Sequence, residues 1–439
     1  MNRYSRAIFR SLLGCIVLSS LPLASQAAVY YVDRNHALAN DGNPGTSTLP
    51  FATINKGAQV AVAGDHVVVR TGTYPEVVRL PRSGQPGKPI VFSANGGVVV
   101  RPAKRAYWTG AFDIVGETDI VIEGFRIENS YMGINVGATK AGLRSGRIVV
   151  RNNYIYITES AGIRVADSDY VTVDSNVVEK GVWGGVAENI TISGATNFLV
   201  NNNEVFRGPW TMNGRTVESK EGINIKEGSK NGRVTNNEVH DLERLGIYVD
   251  GWDTGVSNVE ISGNTVYRCR YGIAIASERG GLVKNILISN NITHSNREFG
   301  IVVAKWVNNG RREDIRIVQN TVYGNVVGGI NIGTTNLYRL FLHNNISAGN
   351  VGVQISADNV GLITDSKANL IYGAKTGNVA FGVKYGDPRF VDPRNANFRL
   401  GTGSAAANAG VAIADIKKDI AGVTRPQSVV YDIGAHESR

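Results

Sequence analysis

Eight times between about Ile148 and Ile355 the chain repeats one phrase. An apolar-alternating strand meets an asparagine-rich corner, a second short strand follows, and a small-residue turn leads into Gly-Ile-x-Val. The corners read VRNNYIY, VDSNVVE, VNNNEVF, VTNNEVH, ISGNTVY, ISNNITH, IVQNTVY and LHNNISA. From Asn237 through Asn264, Asn291 and Asn320 to Asn345, successive corners lie 27, 27, 29 and 25 residues apart. The partner strands are MGINV at Met132, AGIRV at Ala161, EGINI at Glu221, LGIYV at Leu245, YGIAI at Tyr271, FGIVV at Phe299, GGINI at Gly328 and VGVQI at Val351. A repeat this short, built of strands with no helical period, cannot bury its apolar face alone, but stacking makes the core continuous. The pattern predicts an all-β parallel β-helix, a single solenoid in which Ile134, Ile163, Ile223, Ile247, Ile273, Ile301 and Ile330 form one internal stack. Asparagine at one corner suits a ladder of side-chain amides along the axis. A propeller would need longer repeats of about 40–45 residues.

The ends leave the repeat. Arg3, Arg6 and Arg10 precede the apolar run SLLGCIVLSSLPLA and the small-residue segment SQAA, the layout of a secretory signal peptide cut after Ala27. The expected organisation is a signal peptide over 1–27, an N-terminal cap and first coils over 28–110, the β-helix with its groove over 111–370, and a C-terminal capping module over 371–439. The cap is expected to contain a helix from about Ala52 to Val62, which would shield the first open edge. The expected location is secreted or periplasmic, with no membrane-spanning segment and a monomeric state.

Losing the leader lowers the formal charge from +9 to +6 and leaves Cys269 as the one cysteine. No internal disulfide can then form, so stability must come from a large core. The modest basic balance suits an acidic polymer. Nothing resembles a nucleic-acid module: there is no basic cluster with interleaved aromatics and no zinc spacing.

Within Gly-Ile-x-Val-x the apolar side chains point inward and the intervening ones outward. One outward column reads Asn135, Arg164, Asn224, Tyr248, Ala274, Val302, Asn331 and Gln354. The other reads Gly137, Ala166, Lys226, Asp250, Ala276, Ala304, Gly333 and Ser356. In that second, mostly small column Lys226 and Asp250 stand out, and stacked strands about 4.8 Å apart would make them neighbours. Near them lie Glu221, Glu227, Lys230, Tyr248, Trp252, Asp253, Glu278, Arg279, Lys305 and Trp306. Trp210, Met212 and Arg215 sit on a long insertion that could wall the same face. Indole rings beside charged groups suit sugar faces and their hydroxyls and carboxylates. A plain surface salt bridge between Lys226 and Asp250 is the competing reading.

EGINIKEGSKNGRVTNNEVHD followed by GIYVDGWD resembles the catalytic coils of β-helical polysaccharide lyases of families six and nine, with Lys226 on their lysine position. The two end segments resemble those of secreted bacterial β-helix proteins that act on polysaccharides. That resemblance implies a right-handed solenoid, and it makes Asp419, Arg425, Asp432 and Glu437 structural residues of the terminal module. The acidic doublet expected before the second Gly-Ile is Arg244-Leu245 here, and Asp250 stands where family six has an arginine. The motif sets of polygalacturonases, mannuronan epimerases and the commonest pectate lyases are absent.

Three functions follow. The first is a lyase cleaving an acidic, uronic-acid-containing polysaccharide by β-elimination. Lys226 would be its base, Arg279 or Lys305 would neutralise the carboxylate, and Tyr248 would be the acid. Because a neighbouring Asp250 favours the charged form of Lys226, this reading calls for Ca²⁺ held by Asp250 with Glu221 or Glu227. The second is a glycoside hydrolase with Asp250 and Glu227, Asp253 or Glu278 as the carboxyl pair, an epimerase being a variant of the proton-abstraction chemistry. The third is a non-catalytic polysaccharide-binding or export scaffold. Trp210, Trp252, Trp306, Lys305, Asn224, Glu227 and Asp253 are the expected substrate contacts.

Overall fold

The computed structural model describes residues 27–184, 187–207, 211–212, 215–216 and 220–438, the side chains of 211–212 and 215–216 excepted. The signal-like segment, apart from Ala27, lies outside these residues, as does Trp210 of the insertion.

Short strands stack in parallel register into two ladders that wrap one core. An eleven-stranded sheet carries the Gly-Ile strands, and a larger sheet carries the strands on both sides of the asparagine corner. The predicted isoleucines are partners in adjacent rungs and fully buried. Ile190 joins the column between Ile163 and Ile223, on a coil that lacks the Gly-Ile phrase. One register differs from expectation: Ile355, not Val353, pairs with Ile330, which sets Ser356 beside Asn331. Gln354 instead turns inward and bonds Asn350.

The corner ladder runs unbroken from Asn153 through Asn176, Asn203, Asn237, Asn264, Asn291, Asn320 and Asn345 to Asn369. Each amide donates to the next side-chain oxygen at 2.9–3.0 Å. That oxygen also accepts the backbone N–H of the preceding rung, as in Asn237 N to Asn264 Oδ1 at 2.9 Å. A second ladder, Asn296–Asn325–Asn350, follows the short strand of the later coils. The glycine before each isoleucine is required by close approach: a Cβ on Gly246 would sit 2.2 Å from Val266 Cγ1 and 2.8 Å from the Gly272 carbonyl.

A helix over Ile54–Val60, capped by Thr53, packs against the first coils, where Gly57 lets it lie on Val67. It is shorter than predicted because Thr53 and Ala61 leave helical geometry. The last segment runs back along the flank of the solenoid. Arg425 is fully buried, pairs with Glu437 at 2.7 Å and reaches Asn290 at 3.2 Å. Asp419 accepts the N–H groups of Ala421, Val423 and Glu437, and Asp432 accepts that of Asn408. No helix among the described residues is long and apolar enough to cross a membrane.

Candidate functional site

The outer face of the eleven-stranded sheet carries three contiguous cavities of about 230, 270 and 400 Å³. The central one contains most of the charge. Its floor is Lys226 beside Asp250, paired in register as the strand period predicts, with Ser193 and Ala276 on the flanking rungs. Above them gather Glu188, Glu221, Asn224, Arg244, Tyr248 and Glu278.

The partnerships differ from those expected. The Lys226 ammonium donates not to Asp250 but to Glu188 Oε1, at 2.9 Å, with the two side chains only 19% and 8% exposed. Burial pulls the lysine down, but the Glu188 charge, with Glu227 and Asp250 behind it, more than offsets this and holds its pKa above the ordinary value. That is the wrong direction for a base at rest. Glu188 also accepts the Thr191 hydroxyl. Sequence reasoning misses Glu188 because it enters on the coil without the Gly-Ile phrase. The I-T-I alternation at Ile190, and the need for a strand between the corners at Asn176 and Asn203, are the signals that could find it.

Asp250 is 2% exposed, and its Oδ1 accepts the backbone N–H groups of Trp252 at 2.9 Å and Glu278 at 3.2 Å. Burial pushes its carboxyl up against those two bonds, and the nearby Glu278 charge adds to the rise. Tyr248, buried beneath Trp306, donates to Glu278 Oε1 at 2.8 Å. Burial first, then Asp250 and Glu278, drives its phenol far up, so it stays protonated. Glu221 is tied to Arg244 at 3.0 Å and is also raised by burial. Asn224 is 3% exposed, and its Oδ1 has no hydrogen-bond partner among the described residues. The outward column is thus not solvent-facing here: Tyr248, Ala274 and Val302 form a small apolar cluster under Trp306.

The remaining expected residues divide. Lys305 and Trp306 line the largest of these three cavities with Tyr271 and Arg270, and Glu227 lines the smallest, accepting the Ser193 hydroxyl. Trp252 borders the central cavity. Arg279 does not face it: its guanidinium lies over the Trp252 ring, 4.4 Å from the centroid, with the side chain exposed. Asp253 is exposed and borders none of the three. Trp108 and Arg164, which the sequence pattern does not single out, wall the smallest cavity.

A family model described as right handed beta helix region matches residues 187–314, and one described as periplasmic copper-binding protein (NosD) matches residues 61–249. Together with the parallel ladders, this decides the hand. The solenoid is right-handed. The uncharacterized protein YwoF of Bacillus subtilis is 28% identical over 335 residues, 68% of this chain and 69% of YwoF. Pectate lyase Pel9A superposes with a TM-score of 0.60 at 17% identity, covering 94% of this right-handed β-helix and 97% of its own chain. XylC, solved with xylose, gives 0.59 at 12% identity over 94% and 99% of the two chains. The A-module of Azotobacter vinelandii mannuronan C-5 epimerase AlgE4 gives 0.52 at 14% identity over 73% and 89%. At these identities the solved structures establish the fold.

The site does not fit the expected calcium. Glu221 is tied to Arg244, Glu227 accepts the Ser193 hydroxyl in the neighbouring cavity, and Asp250 takes two N–H groups on Oδ1, so the expected carboxylates do not converge on one point. Among the described residues no three His, Cys, Asp or Glu side chains cluster to hold a metal. Copper fits no better, since no His, Cys or Met lines the groove among the described residues.

Proposed function

We propose that the protein is an exported enzyme that cleaves a polysaccharide bound along the groove, with Asp250 and Glu278 as its acid–base pair. One observation carries this. Of the four carboxyl groups around the central cavity, Asp250 and Glu278 have no cation within 4 Å among the described residues, and burial keeps Asp250 protonated to higher pH. A raised carboxyl beside a second carboxylate on the next coil is the arrangement for glycoside hydrolysis. Asp250 would protonate the leaving oxygen, and Glu278, steadied by the Tyr248 hydroxyl, would act on the opposite side of the bond. Lys226 with Glu188 would form a fixed ion pair on the floor. Export rests on the signal-like start of the chain.

β-Elimination on a uronate chain is the second reading, favoured by the position of Lys226 on the cavity floor with Lys220 and Arg244 on its rim. Lys226 would first have to pass its proton to Glu188, and Arg244 rather than Arg279 would face the uronate carboxylate. An assay over acidic and neutral polysaccharides separates the two. New reducing ends without the ultraviolet absorbance of an unsaturated uronate are expected. Both signals together would establish elimination, and neither would leave a binding scaffold.

A further inference from the structure

The smallest of the three cavities holds a cation, Arg164, that forms no ion pair among the described residues. Arg164 rises from the outward position of the Ile163–Ala166 strand and lies 5.5 Å from the centroid of the Trp108 ring. One of its N–H groups donates to Asn135 Oδ1 at 3.1 Å, a neutral partner. No carboxylate comes within the 4 Å of an ion pair among the described residues. Asp113, Asp167, Glu188 and Glu227 act on it only from farther away, and burial pulls its pKa down. The rest of the cavity wall is Ala187, Thr191, Ser193, Lys226 and Glu227. The hydroxyls of Thr191 and Ser193 are spent on Glu188 and Glu227. The unspent donors facing the space therefore belong to Arg164 and to the Lys226 ammonium, which gives one of its N–H groups to Glu188, beside an indole that is 47% exposed.

A planar guanidinium with free N–H groups matches a carboxylate or sulfate oxygen pair, and the half-exposed indole, which packs with Tyr107 and Tyr131, adds apolar surface for a sugar ring. Lys226 borders both this cavity and the central one, so one chain can occupy both. We propose that Trp108 and Arg164 form a distal subsite for an anionic sugar, one bearing a carboxylate or a sulfate ester, of the chain whose cleavage occurs at Asp250. This rests on the proposed function and adds to it a substrate class and a direction: the bound chain extends from Asp250 toward the N-terminal coils.

The test titrates wild type, Arg164→Gln, Arg164→Lys and Trp108→Ala with a uronate oligosaccharide, a sulfated galactan oligosaccharide and a neutral cello-oligosaccharide. Turnover is followed in parallel on any polymer the wild type cleaves. The subsite predicts that Arg164→Gln binds the anionic oligosaccharide about tenfold or more weakly. Neutral binding should be unchanged, Arg164→Lys should recover part of the loss, and KM should rise with kcat nearly constant. The preferred oligosaccharide tells carboxylate from sulfate. A folded Arg164→Gln protein that binds and cleaves anionic chains like wild type overturns the subsite and leaves the proposed function standing. Should Arg164→Gln not fold, unchanged anionic affinity in Trp108→Ala overturns it equally. A wild type that neither binds nor cleaves any of the three removes the proposed function, and the subsite with it.

Discussion

Asparagine at position 250 would keep the shape of the aspartate and its capacity to accept from the Trp252 and Glu278 amides, while removing the proton it can give. Asp250→Asn should therefore lower kcat by about 10²-fold or more with little change in KM. The same change has a stability signature. The folded carboxyl sits above its ordinary value of 3.8, so as pH rises through 3.8 the unfolded chain releases this proton first. Stability then falls until the folded pKa has been passed. Asparagine has no such loss. Thermal unfolding should find Asp250→Asn more stable than wild type at neutral pH, with the gap closing as pH drops toward 3.8. A variant less stable than wild type at neutral pH would mean that the carboxylate form is the one the fold favours. For Lys226, arginine should preserve the pair with Glu188 and lose less than about tenfold in turnover. Methionine should strand a buried carboxylate and cost about 3 kcal/mol. A loss of 10²-fold or more in Lys226→Arg at constant KM would make Lys226 the base and elimination the reaction. That Lys226 and Asp250 are neighbours is readable from strand period alone. That Lys226 turns to Glu188 is not, because a flexible side chain selects its partner from whatever the adjoining coils bring near.

At the scale of one coil, the phrase Gly-Ile-x-Val is two constraints written together. The isoleucine fills the column, and the glycine lets the next rung come close enough to bond. Gly246→Ala should overpack against Val266 and the Gly272 carbonyl and lower stability by about 1–3 kcal/mol, seen as an earlier denaturant midpoint. Ile247→Asp should do worse, burying a charge with no partner between Ile223 and Ile273 and abolishing soluble expression. Full expression of Ile247→Asp with an unchanged melting temperature would contradict the register. Most coils announce themselves through this phrase and the asparagine corner, which is why the solenoid is legible in the amino-acid pattern itself. The coil at Ile190–Ser193 is not, since Asn189 stands where the others have glycine. Its Ile-Thr-Ile satisfies the core without the signature, and Glu188 is hidden with it. The shifted register at Val353 has a similar origin: Gly352 is followed there by two apolar choices for the column, and the amide of Gln354 finds a buried partner in Asn350 that sequence alone does not reveal.

Over the whole molecule the groove and the tail use different faces. The cavities lie on the eleven-stranded sheet, whereas the tail packs near the asparagine corner, through Asn290, Thr321 and Asn344. Docking depends on a buried ion pair, Arg425 with Glu437, surrounded by Asp419 and Asp432. Breaking such a pair costs more than the pair contributes, because the carboxylates left behind keep their desolvation penalty without a cation. Arg425→Ala should therefore weaken docking of the tail by about 3–5 kcal/mol. The solenoid, whose core and ladders continue to Asn369 and beyond without the tail, should keep its own order. Limited proteolysis is expected to trim Arg425→Ala within the segment after Tyr385 and to leave a protected coil stack, while wild type resists at the same protease concentration. The groove lies away from the tail, so trimmed protein should retain whatever cleavage activity the wild type shows. Loss of that activity together with the tail would mean that docking supports the geometry around Asp250, and the two faces would then have to be treated as one mechanical unit.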